Sequence, residues 1–79
     1  MISAAQCRAA RGLLKWNQDD LATAAEVGIV SIRQFEGERT APHRATLAAI
    51  QRAFEAAGIV FILANGGGPG VRIASVKVV

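Results

Sequence analysis

Gln18 to Pro42 reads QDDLATAAEVGIVSIRQFEGERTAP, and the spacing of its apolar residues decides the fold. Leu21, Ala22 and Ala25 fall on one face of a first short helix, and Ile32 and Phe35 on the inner face of a second. Val27 stands where it can plug the turn between them. Two helices crossing at a tight turn form the frame that can seat one of them in the major groove of DNA.

Toward the N-terminus, Ser3 and Gln6 have the spacing of a capping box, which predicts a helix over about Ala4 to Leu14. Its inward positions are Cys7, Ala10, Arg11 and Leu14, a buried stripe with one charged member. Asn17 can cap the next helix, and Asp19 and Asp20 in its first turn complement the helix dipole. Trp16 can lie against DNA sugar or cover the edge of the core, and the core is the preferred reading.

Toward the C-terminus, Leu47, Ile50, Phe54 and Ala57 mark one face of a longer helix after Pro42 that stops at Gly58. The character then changes. Ile59 to Leu63 is a dense apolar run, Asn65 to Gly70 reads as a hairpin loop, and Val71 to Val79 supplies a second strand. A two-stranded hairpin that is apolar on both faces is marginal alone and presents open edges. Residues 1–58 are therefore expected to form the helical part and residues 59–79 the hairpin, completing a sheet with a second chain through Ile59, Phe61, Leu63, Val71, Ile73, Val76 and Val78.

At 79 residues the chain makes one small unit, and a chain of about this size buries only about 60% of its unfolded surface. It is 52% hydrophobic with three Phe, one Trp and no Tyr, a composition that favours a homodimer. A net charge of +3 and a pI near 10.0 favour polyanionic partners without naming one. The single cysteine, Cys7, forms no internal disulfide, and MISAAQCRAAR lacks the apolar core of a signal peptide. No stretch approaches the roughly 20 apolar residues of a membrane helix, so a cytoplasmic location is expected.

Gln18, Leu21, Ala22, Ala25, Val27, Ile32, Phe35 and Glu36 stand in the pattern Q-x-x-L-A-x-x-A-x-V followed by I-x-x-F-E. This resembles the bacterial Cro/C1-type (XRE) helix-turn-helix regulators over about Arg8 to Ala57. The resemblance implies a mainly α fold, a lambda-repressor-like bundle of four helices, here followed by a C-terminal β-hairpin. It also implies an ion pair between Arg11 and Glu36, against the alternative that Glu36 faces water.

Carried over by position, the resemblance assigns base contacts to Gly28, Ile29, Val30, Ser31, Arg33 and Gln34. Phosphate contacts fall on Asn17, Gln18, Arg39, Thr40, His43 and Arg44. Departures are concentrated in the same segment: relatives commonly have Gly at Glu26, Ser or Thr at Gly28, polar or basic residues at Ile29 and Val30, and Asn-Gly at Gly37-Glu38. Glu26 does not readily take a positive φ, so the turn is expected to differ slightly.

Ile29 and Val30 admit two readings: contacts to thymine methyl groups, or a patch that docks a protein. The first leads to a sequence-specific regulator of transcription, most simply a repressor, binding double-stranded DNA as a homodimer. The second leads to an antitoxin or anti-activator. A toxin, an activator or RNA polymerase is then the second protein. No enzyme is expected, because one His and one Cys make neither a zinc site nor a nucleophile with its base, and no cofactor or metal is implied. The Gly-rich loop lacks the Lys-Ser/Thr of a phosphate-binding loop and is followed by a strand.

Overall fold

A computed structural model describes residues 1–64 and 66–74. Four helices come first, α1 (Ala4–Leu14), α2 (Gln18–Ala25), α3 (Ile29–Glu36) and α4 (Arg44–Ala56). An antiparallel hairpin of β1 (Ile59–Ile62) and β2 (Gly70–Ile73) follows, so the molecule is mainly α.

Local chemistry sets the helix ends. The Ser3 hydroxyl accepts from the Gln6 N–H at 3.1 Å while the Gln6 carbonyl oxygen accepts from the Ser3 N–H at 2.9 Å, closing the expected capping box on α1. Asn17 and Asp20 close a second such box on α2, at 2.7 and 2.9 Å. The α1 and α2 ends each turn through a left-handed residue, Lys15 at φ 58 and Glu26 at φ 57, and Glu38 at φ 57 does the same beyond α3. Glu26 thus corrects the expectation that it would avoid a positive φ. The Val27 N–H donates to Ala22 O at 3.1 Å, and the apolar side chain it carries packs on the core, so burial of Val27 offsets the cost of the left-handed residue before it. Gly58, at φ 99, ends α4 in a conformation suited to glycine.

The core lies where α1, α2, α3 and α4 converge. Phe54, Leu21, Ile32, Ile50 and Cys7 are its largest fully buried side chains, each apolar one contributing about 1.5–3 kcal/mol by leaving water. Trp16 stacks on Phe54 with ring centroids 5.7 Å apart, in agreement with the core reading, and Phe61 meets Phe54 edge-on at 5.9 Å.

In the hairpin Ile59 pairs with Ile73 and Phe61 with Val71. Gly70, expected in the loop, is the first residue of β2. The side chain of Gln6 ties this hairpin to α1, because its Nε2 donates to Ile62 O at 3.2 Å and to Gly70 O at 3.0 Å. Among the described residues no helix is long and apolar enough to cross a membrane.

Candidate nucleic-acid interface

Helix α3 divides its residues sharply. Ile32, Phe35 and Glu36 are buried, whereas Val30, Arg33 and Gln34 are exposed, and Ile29 and Ser31 are half-buried. Val30, Arg33, Gln34 and Gly37 therefore run along the outer face at i, i+3, i+4 and i+7. Gly28 is the exposed residue before the helix; it has extended backbone at φ −68, ψ 142 and supplies no side-chain cap.

Two of the residues expected at bases share a hollow of about 220 Å³ with two expected at phosphates. Ser31 and Gln34 of α3 form one wall, and Thr40, Pro42, His43 and Thr46 form the other. The opposite wall includes the start of α4, where His43 offers no side-chain cap and the first N–H groups remain free of one. Free N–H groups and the positive end of a helix dipole favour an anion there. Thr46 was not read from the sequence; a polar residue at the third position of α4 was the available signal.

The remaining expected phosphate groups are differently placed. Arg39 and Arg44 are exposed. The Asn17 side chain accepts from the Asp20 N–H, so its oxygen is already engaged in capping. Gln18 is half-buried, and its Nε2 donates to Glu36 Oε1 at 3.1 Å, which leaves the second amide hydrogen for another acceptor.

Behind this face, Arg11 and Glu36 form the expected ion pair, with Arg11 Nε donating to Glu36 Oε2 at 2.6 Å and Nη2 donating to Oε1 at 2.7 Å. Cys7 adds a thiol donor to Oε2 at 3.2 Å, and Arg8 donates to the Glu36 main-chain carbonyl. Neither contact was legible in helical periodicity, which places Cys7 inward without naming what it touches.

Burial opposes ionisation of Glu36, but donors from Arg11, Gln18 and Cys7 together with the Arg11 charge outweigh it and hold the carboxyl below its usual range. The hydrogen bond to Glu36 raises the Arg11 pKa against the opposing effect of burial. Burial, reinforced by the neighbouring carboxylate, pushes the Cys7 thiol far up, so it stays protonated.

On the hairpin, Ile59, Phe61 and Val71 pack on the chain's own core, whereas Leu63, 73% exposed, and Ile73, 40% exposed, face outward. Ile62, not among the expected interface residues, is also exposed. Val76 and Val78 lie outside the described residues. The Ala74 N–H donates to Gly58 O at 2.6 Å. The alternation of an antiparallel ladder then turns the main-chain groups of Ile59, Phe61, Val71 and Ile73 away from the hairpin partner, but Ile59 is only 2% exposed, so the outer edge of β1 is covered there by the chain's own core.

Among the described residues no cluster of three or more His, Cys, Asp and Glu is placed to hold a metal ion. The sequence matches no protein-family model and no curated protein.

Proposed function

We propose that this chain is a sequence-specific regulator of transcription that binds double-stranded DNA through a Cro/C1-like helix-turn-helix formed by α2 and α3. The carrying observation is the partition of α3: one side is anchored by Ile32, Phe35 and Glu36, and the other offers Val30, Arg33 and Gln34 to solvent. A short helix gripped along one side and free along the other is the form a reading element takes in the major groove. Gln34 has the donor and acceptor for adenine, Arg33 the paired donors for guanine, and Val30 an apolar surface for a thymine methyl. Thr40, His43 and Arg44, near the start of α4, extend the grip to the backbone.

The exposed Ile62, Leu63 and Ile73 support a homodimer joined through the hairpin. Two copies would set their α3 helices about 34 Å apart on a palindromic site. The simplest regulatory outcome is repression by occupying a promoter.

A fluorescence-anisotropy titration with the DNA upstream of the chain's own gene tests the proposal. Saturable binding that falls steeply with salt is expected, together with a loss of about ten-fold for Gln34→Ala or Arg33→Ala. Unchanged binding in both variants removes α3 as the reading element. The 58% exposure of Val30 favours a second reading, a protein-docking module such as an antitoxin, and absence of DNA binding at low salt would support it.

A further inference from the structure

Arg33 and Arg39 come from opposite sides of a chain reversal to one hollow of about 320 Å³, whose other walls are Gln34 and Gly37. A Cβ at Gly37 would lie a tight 3.1 Å from the Arg33 carbonyl oxygen and in ordinary contact, at 3.8 Å, with Arg39 Cγ, so the stem of Arg39 passes beside the Gly37 backbone. The Arg39 N–H donates to Gln34 O at 3.0 Å, which pins the base of its side chain to the last turn of α3.

The acid adjacent in sequence is turned elsewhere. Glu38 adopts φ 57, and its carboxylate approaches Arg8 of α1 at 3.9 Å, leaving Arg33 and Arg39 without an acidic partner among the described residues. Two guanidinium groups therefore share one hollow with a carboxamide and no carboxylate among the described residues. Planar paired donors of this kind match the O6 and N7 acceptors of guanine.

We infer that Arg39 is a specificity-determining residue, completing with Arg33 and Gln34 a site for the major-groove edge of a guanine at the C-terminal end of α3. This inference rests on the DNA-binding reading above and changes one part of it, since the resemblance assigned Arg39 to phosphate. Its position favours a base. Arg39 extends the outer row of Val30, Arg33, Gln34 and Gly37, whereas Thr40 and His43 belong to the separate hollow at the start of α4.

The test is selection from a duplex library with a randomised core, performed with the full chain and with Arg39→Ala and Arg39→Gln. Affinities are then measured on the selected site and its single-base variants over a range of salt. Circular dichroism verifies that both variants fold. The wild-type motif is expected to contain a guanine that Arg39→Ala no longer selects and that Arg39→Gln exchanges toward adenine. On the selected site Arg39→Ala should bind about ten-fold more weakly, and on the site lacking that guanine it should match the wild type.

An equal loss on every sequence, with the salt slope reduced by about one, would make Arg39 a phosphate contact and overturn the inference while leaving the DNA-binding reading intact. No enriched motif for the wild type would overturn sequence-specific reading itself, and the inference with it.

Discussion

Arg11 of α1 and Glu36 of α3 meet fork to fork, with N···O distances of 2.6 and 2.7 Å and only 20% and 4% of their side chains exposed. Gln18 of α2 joins them at 3.1 Å, and Arg11 Nη1 donates to Trp16 O at 3.1 Å, so three helices and the first connection converge on a single carboxylate. Paired donors satisfy both oxygens, the condition under which a buried carboxylate is tolerated. The clamp fixes the inner side of α3 and thereby the direction in which Val30, Arg33 and Gln34 face.

Arg11→Met should destabilise the fold by about 3 kcal/mol, since it strands the Glu36 charge. The double variant Arg11→Met/Glu36→Leu should lose clearly less than the sum of the two single changes. Urea unfolding of all four proteins measures the coupling, and strict additivity would show that the pair does not act as a unit.

Acid should weaken the fold through Glu36. Its folded-state pKa is depressed, so the unfolded chain binds the proton first and stability rises with pH across this range. The contribution is complete above the unfolded value of about 4.3 and disappears as pH falls through the lower folded value. Thermal unfolding between pH 6 and 2 should show a shallower decline for Glu36→Gln than for the wild type.

Gln6→Leu should loosen the hairpin. The carboxamide satisfies the Ser3 N–H, Ile62 O and Gly70 O together, and Leu supplies none of these contacts. A loss of about 1–3 kcal/mol is expected. Hydrogen exchange should accelerate first at amides of β1 and β2, and uniform acceleration across α2 and α3 as well would argue against a local tether.

Glu26→Gly should stabilise the protein by about 1 kcal/mol, because Glu26 occupies the left-handed region at φ 57, ψ 44. Chemical denaturation measures the gain. An unchanged or lower midpoint would mean that Glu26 contributes an offsetting interaction.

Helix spacing was highly legible because it depends on local periodicity. Ser3 with Gln6 predicts the start of α1 and Asn17 that of α2, and the apolar positions Leu21, Ala25, Ile32 and Phe35 predict the buried sides of α2 and α3, in agreement with the structure. The Arg11–Glu36 pair followed from the family resemblance together with the inward position of a charge. Glu26 was misread because propensity weighs a residue alone, whereas the turn also benefits from the Val27 hydrogen bond and its burial. Cys7 on Glu36 and Gln6 on the hairpin carbonyls join residues 29 and more than 50 positions apart, beyond any local pattern.

Apolar periodicity and capping chemistry in the sequence by themselves determined that four helices precede a hairpin and which side of each helix is covered, since both act within about one helical turn. Tertiary structure alone decided that the Cys7 thiol, the Gln18 amide and Arg8 join Arg11 on Glu36, and that Glu38 turns to Arg8 while Arg39 lies beside Arg33. Those arrangements require segments distant in the chain to be brought into register. Their geometry depends on how the packed helices cross, which no local spacing encodes.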